Sequence, residues 1–242
     1  MKQKVKMKKL TKLLILFMLT ACSDADSNVI AEIPEASGIS YCKNTDTLVV
    51  ASDEGSFYEL TTSGEIISEH KLGDYDLEGV VCKKRKFIFA VEGGSLLRVN
   101  RETLESKEVK IKGIKDQEFK FTNKHGIEGI SKKGKFYYLS IQAKKKKDAY
   151  IVVVKMRKNY ALIVKTIHHK IIDSSGLQWH KNKLYIVSDK KDKLYVYNLK
   201  QRKIMKRIKL PKFAQEGITF DDDGHAYFAD DNGYVLKYGD FL

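Results

Sequence analysis

Three glutamates in this chain stand immediately before a glycine and lead into a short aliphatic strand. They are Glu78 in "LEGVV", Glu128 in "IEGIS" and Glu216 in "QEGIT". Serines hold the same place in "ASGIS" (Ser37) and "SSGLQ" (Ser175). A carboxylate that recurs at one repeat position can do two kinds of work. It can accept backbone N–H groups and fix the spacing of repeated units. Alternatively, several can converge on a hard cation such as Ca2+, which takes roughly 6–8 oxygen ligands in irregular geometry.

Counting across the turn that follows widens the set. An offset of 14 residues puts Glu78 opposite Glu92, Glu128 opposite Gln142, Ser175 opposite Asp189 and Glu216 opposite Asp230. It also puts Val80 opposite Ala90. A longer turn in the first repeat puts Ser37 opposite Asp53. Facing residues of antiparallel strands lie about 5 Å apart. The candidate metal ligands are therefore Glu78, Glu128, Glu216, Glu92, Asp189, Asp230 and Asp53, gathered on one rim. Seven carboxylates converging there repel one another, which either a bound cation or raised pKa values would offset.

Other chemistry has weaker support. The sequence holds no Ser-His-Asp order, no His-x-His or HExxH metal motif and no Gly-rich phosphate loop. His168 and His169 are neighbours on a strand-like segment, so they face opposite sides and do not chelate jointly. His125 is the histidine nearest a glycine-step glutamate. Lys190, Lys191 and Lys193, beside Asp189, would hold phosphate in a phosphohydrolase or simply form a solvated turn.

The elements that must position these residues come from a repeat. The five glycines, Gly38, Gly79, Gly129, Gly176 and Gly217, are spaced by 41, 50, 47 and 41 residues. A period of about 40–50 residues is that of one four-stranded propeller blade. After each glycine step come a polar turn and an aromatic, β-branched strand: "TLVVAS", "KFIFAV", "KFYYLSI", "KLYIVS" and "HAYFAD". Third strands follow, and fourth strands follow in the first four repeats, with almost no helical pattern between them. The last repeat lacks its fourth strand, while "NVIAEI" (Asn28 to Ile33) is a strand without a blade. The expectation is an all-β fold: a five-bladed β-propeller of four-stranded antiparallel blades, with the N-terminal strand closing the last blade. "DQEFKF" (Asp116 to Phe121) reads as an insertion, and Trp179 as core between blades.

The N-terminus reads as an address rather than as fold. Lysines from Lys2 to Lys12 precede "LLILFML" and then "LTAC", ending at Cys22. A basic region, a short apolar region and small residues before a cysteine are the order of a lipoprotein signal, with Cys22 the lipidation site. The expected organisation is 1–21 signal peptide, 22–27 tether and 28–242 a single propeller domain. Loss of the leader lowers the formal net charge from +14 to +8. A basic exported chain suits an anionic lipid surface or anionic ligands, and export argues against nucleic acid. Cys42 and Cys82 remain, as a disulfide or as free thiols.

The stretches "EASGISY", "TLVVASDEGSFYELTTSGEII", "DYDLEGVV", "NKHGIEGIS", "SSGLQWHKNKLYIVSD" and "QEGITFDDDGHAYFADDNG" together resemble the SdiA-regulated (YjiK-like, CarP-like) propeller family across nearly all of the mature chain. The resemblance implies an exported or membrane-attached β-propeller, often linked to calcium and described as phytase-like, without an established reaction. The expected function is a lipid-anchored, Ca2+-binding module of the cell envelope, on the outer membrane if the source has two membranes. An anionic small molecule or an envelope protein is its expected further partner. Two alternatives are a Ca2+-dependent phytase-like phosphohydrolase and a metal-free scaffold for peptide or sugar.

Overall fold

The computed structural model describes residues 28–113, 121–122 and 125–239. The signal segment 1–21, the tether with Cys22 and all of "DQEFKF" except Phe121 lie outside the described residues. The chain is all-β and propeller-like. It opens with β1 (Val29–Glu32) and then forms successive antiparallel meanders. The first comprises β2 (Ala36–Cys42), β3 (Thr47–Ser52), β4 (Ser56–Thr61) and β5 (Ile66–Lys71). The second comprises β6 (Leu77–Lys83), β7 (Lys86–Val91), β8 (Ser95–Asn100) and β9 (Ser106–Lys112). The third comprises β10 (Ile127–Lys133), β11 (Phe136–Ile141), β12 (Tyr150–Met156) and β13 (Tyr160–His168). The fourth comprises β14 (Ser174–His180), β15 (Lys183–Ser188), β16 (Lys193–Asn198) and β17 (Lys203–Lys209). The last has β18 (Gln215–Phe220), β19 (Ala226–Asp230) and β20 (Tyr234–Tyr238).

The missing strand of the last meander is supplied by β1. It runs antiparallel to β20, with Val29 opposite Leu236 and Glu32 opposite Tyr234. The N–H of Ile33 also donates to the carbonyl of Gly233 at 2.9 Å. Every described strand of the four sheets lies within residues 29–238.

One feature departs from the expectation of separate four-stranded blades. The second and third meanders merge into a single eight-stranded sheet, because the start of β13 pairs in parallel with β9. Tyr160, Ala161 and Leu162 lie opposite Lys110, Ile111 and Lys112. β13 is nine residues long, and its first turnward residues reach the outer edge of the neighbouring meander. That pairing satisfies backbone groups that an outer strand otherwise leaves open to other chains.

Side-chain pattern follows position in the meander. The second and third strands are buried on both faces, as in "TLVVAS" of β3, while the outer β5 and β17 are mostly exposed. Apolar clusters fill the spaces between successive meanders. One joins Phe57 of the first meander to Phe87 and Phe89 of the second. Another joins Tyr138 of the third to Ile186 and Tyr195 of the fourth, with the Trp179 ring edge-on to Tyr138. Cys42 and Cys82 are disulfide-bonded, tying the ends of β2 and β6.

The first strands line the axis, where each touches the next: β2 with β6, β6 with β10, β10 with β14, β14 with β18, and β18 with β2. The repeated glycine is what permits this approach. A Cβ on Gly38 would meet the backbone of Gly79 at 2.4 Å, and one on Gly176 would meet Gly217 Cα at 2.8 Å. One on Gly217 would meet Gly38 Cα at 2.9 Å. Contacts this short are backbone on backbone, so no rotamer change relieves them.

Candidate functional site: the acidic mouth of the axis

Each first strand carries a β-bulge at the residue before its glycine. Leu77 is opposite Val91 while Gly79 is opposite Ala90, so Glu78 is the extra residue. The same slip occurs around Ser37, Glu128, Ser175 and Glu216. A bulge leaves one residue without a partner and re-aims its side chain. The simple cross-strand pairing expected from the sequence is corrected in two ways: the bulge leaves Glu78 without a direct partner, and a tight turn with Lys83 opposite Lys86 puts Val80 opposite Phe89 rather than Ala90.

The bulge sorts the residues by type. The Ser37 hydroxyl donates to the carbonyl of Leu77 in the next meander, and the Ser175 hydroxyl to that of Gln215. The serines thus do the spacing work. The glutamates do not: among the described residues, no backbone N–H donates to Glu78, Glu128 or Glu216. All three are partly buried at the same end of the axis, and with Ile39, Leu177 and the glycines, Glu78 and Glu216 line its narrow bore.

Burial and neighbouring carboxylates raise the pKa of each. The Glu78 carboxyl is pushed up to about 11, first by burial, then by the charges of Glu128, Asp76 and Glu216. Glu128 is pushed up to about 7 by burial and by Glu92, Asp173 and Asp76. Glu216 is held well above the usual range by burial, then by Glu128 and Asp231. Glu92 and Asp189 are also raised, mainly by burial, with Asp76 acting on the first and Asp173 on the second. A cation, Lys190, adjoins this group. It pairs with Asp173 at 3.3 Å and, with Glu128, Asp189 and Glu216, lines a cavity of about 120 Å³.

The remaining two sequence candidates divide. Asp53 meets Glu35 and Asp231 on the rim, with carboxylate oxygens all within 4.8 Å of one another. Its pKa is pushed up to about 6, by burial and then by Glu35. Asp230 does not join the group. Its Oδ1 accepts the backbone N–H groups of Ala214 (3.1 Å) and Asn232 (3.0 Å) and the Asn232 amide (2.8 Å), so it fixes a turn. Asp230 faces Gln215, and the slip hands the rim position to Asp231, whose N–H donates to the Ala214 carbonyl. Cys22 lies outside the described residues.

Sequence reasoning missed four acids of this mouth: Glu35, Asp76, Asp173 and Asp231. Three of them were readable. Glu35, Asp76 and Asp173 each stand three residues before a repeat glycine. Lys191 and Lys193 flank the turn after Asp189. His125 sits near Thr122, its Nδ1 3.4 Å from the hydroxyl, and His169 is buried with its pKa pushed down to about 4.

The family comparison covers nearly the whole of this repeated meander. The model of the family described as SdiA-regulated matches residues 22–232. The chain belongs to the SdiA-regulated family. No curated protein matches it. Among solved structures, the glutaminyl cyclase of Myxococcus xanthus is similar, with a TM-score of 0.65 at 10% identity over 86% of this chain and 94% of that one. The Cps50 (Swd1) β-propeller domain of Myceliophteria thermophila is also similar, with a TM-score of 0.50 at 8% identity over 84% and 67% of the two chains. At such identities the likeness concerns the fold alone.

Proposed function

We propose that this SdiA-regulated protein is an exported, lipid-anchored five-bladed propeller that binds Ca2+ at its acidic mouth and serves as a binding or signalling module of the cell envelope. The five-blade reading counts the merged eight-stranded sheet as two blades and β1 as the last strand of the fifth. The observation that carries the calcium reading is the division of labour at the bulge. Serines make the inter-blade bonds there, while among the described residues no backbone N–H donates to Glu78, Glu128 or Glu216, whose carboxyls share the bore and the cavity at its mouth.

The donor set fits a hard cation. Carboxylate oxygens with no thiolate suit Ca2+ over softer metals. Glu78, Glu128 and Glu216 would hold the ion centrally, and Glu92 and Asp189 would supply charge around it. Lipidation at Cys22 and export rest on the N-terminal pattern. The calcium reading is preferred to a phosphohydrolase because Lys190, the lysine lining the cavity beside Glu128 and Glu216, is engaged by Asp173.

A second position for the ion has its own support. Glu35, Asp53 and Asp231 bring three oxygens together more closely than the central glutamates do. Calcium titration of two variants, Glu78→Gln/Glu128→Gln/Glu216→Gln and Asp53→Asn/Asp231→Asn, separates the sites. Loss of binding in the first alone places the ion at the axis, and loss in the second alone places it on the rim. Unchanged binding in both removes the acidic mouth as the site.

A further inference from the structure

The two ends of the axis differ in charge, and the chain enters at the end opposite the acids. The first strand of each meander begins at the acidic mouth and ends in a turn at the far end. Those turns read "KKRK" (83–86) in the second meander, "KKGK" (132–135) in the third and "HKNK" (180–183) in the fourth, without an acid. Beside them lies a cleft of about 390 Å³ lined by Lys83, Lys84 and Lys132. The Lys83 amine is pushed below its ordinary value by burial and by the charge of Lys132. Acids are present at this end too: Glu65, Glu102, Glu105 and Asp223 are exposed in its other turns but are outnumbered by the lysines and arginines around them, and several others are engaged. Asp222 pairs with Lys43 at 2.6 Å, Asp46 accepts from Tyr41, and Asp221 accepts from the Gly224 and His225 backbones and from Tyr227.

The direction of β1 fixes where the N-terminal segment leaves the ring. Val29 pairs with Leu236 near the far end, Glu32 pairs with Tyr234 near the acidic mouth, and the carbonyl of Asn28 accepts the N–H of Lys237. Residues before Asn28 therefore depart from the lysine-bearing end. The six residues from Cys22 to Ser27 span at most about 20 Å when extended. An open groove of about 480 Å³ begins at the same end, floored by Phe136, Val153 and Ile167 and rimmed by Lys135, Lys155 and Arg157. Apolar floor and cationic rim match an acyl chain and its anionic headgroup.

We propose that the end of the ring bearing the 83–86, 132–135 and 180–183 turns lies against an anionic phospholipid surface, with the acidic mouth facing away from the membrane. This goes beyond anchoring by Cys22, because the charge pattern acts whether or not a lipid is attached. It assigns a direction: the cation site opens to the aqueous side, where a ligand reaches it without displacing the membrane contact. Each lysine held near an anionic surface strengthens binding about fivefold.

The test uses residues 28–242, which contain every described strand and lack the anchor, so its outcome is independent of lipidation. Binding is measured by sedimentation with phosphatidylglycerol/phosphatidylcholine vesicles and with phosphatidylcholine alone. The proposal expects binding to the anionic vesicles only, weakened by salt as screening shortens. Replacing the exposed Lys84, Arg85, Lys135 and Lys181 by Glu is expected to weaken it several-hundred-fold, on the order of fivefold per side chain. Lys144, Lys145, Lys146 and Lys147 are equally exposed but sit in the turn between β11 and β12 at the acidic end. Their replacement by Glu makes the same change in net charge and is expected to cost less than tenfold. Equal losses in the two variants, or no preference for anionic vesicles, would overturn the proposal. Circular dichroism and melting of both variants confirm that each remains folded.

Discussion

The glutamates of the mouth make stability depend on pH in a way that separates a cation site from a structural ring. Consider Glu78→Gln/Glu128→Gln/Glu216→Gln against the parent, both in chelator. The ordinary glutamate pKa is 4.5, and folding raises that of Glu128 to about 7. Below 4.5 both states are protonated and the group costs nothing. As pH rises through the interval, the unfolded chain ionises and gains stability that the folded chain does not. Stability contributed by the protonated form is thus lost as pH rises towards 7. A shift of this size corresponds to about 3 kcal/mol, and allowing for partial exposure leaves about 2. Glu78 and Glu216 are raised in the same direction, so they add to the loss over the same interval and continue it above pH 7. The buried His169, with its pKa pushed down to about 4, gains stability with rising pH up to its ordinary 6.5. It does so in both proteins and cancels in the difference. At pH 8 without calcium the triple variant is therefore expected to melt at least about 5 °C above the parent, and at pH 4 at the same temperature. The assay is thermal denaturation followed by circular dichroism across that range. A variant that melts below the parent at pH 8, by an amount independent of pH, would refute the reasoning and make the glutamates structural acceptors.

Three further outcomes follow from the fold and the N-terminus. Deleting residues 28–33 removes β1 and opens the last meander, so the melting temperature is expected to fall by more than 10 °C, on the order of several kcal/mol; unchanged melting would contradict closure by β1. The Cys42–Cys82 bond closes a loop of sequence separation 40, worth about 4 kcal/mol by loop entropy, so Cys42→Ala/Cys82→Ala is expected to shift the urea midpoint down correspondingly. Cys22→Ser is expected to leave an uncleaved precursor or a soluble protein on fractionation, and full processing with retained membrane attachment would contradict lipidation.

The architecture was largely legible because the repeat is written in glycines. Gly38, Gly79, Gly129, Gly176 and Gly217 share one physical role, backbone contact at the axis, and their spacing carries the meander count. The pairing of Val29 to Glu32 with β20 was legible for a related reason: one repeat ended a strand short and one strand had no repeat. What escaped reading was register. Alternation assigns facing residues only while both strands advance in step, and the bulge at each Glu-Gly or Ser-Gly step breaks it. That single slip turned Asp230 into a turn-fixing residue, brought Asp231 to the rim and left Glu78 unpaired. The parallel contact of Tyr160–Leu162 with Lys110–Lys112 was also illegible, because pairing between outer strands of different repeats leaves no period in the sequence. The disulfide was ambiguous for a similar reason, since Cys42 and Cys82 stand four and three residues after their glycines.

The central claim is that the acidic mouth takes up calcium, and calorimetric titration of Ca2+ into chelator-treated, metal-free protein at pH 7.5 tests it most directly. The account predicts saturable binding with release of protons, because carboxyls such as Glu78 that hold protons in the free protein must ionise to ligate the ion. At a hundredfold excess over Kd the same binding raises stability by about 2.7 kcal/mol. No heat of binding at any calcium concentration up to the millimolar range, together with identical melting in calcium and in chelator, would contradict it.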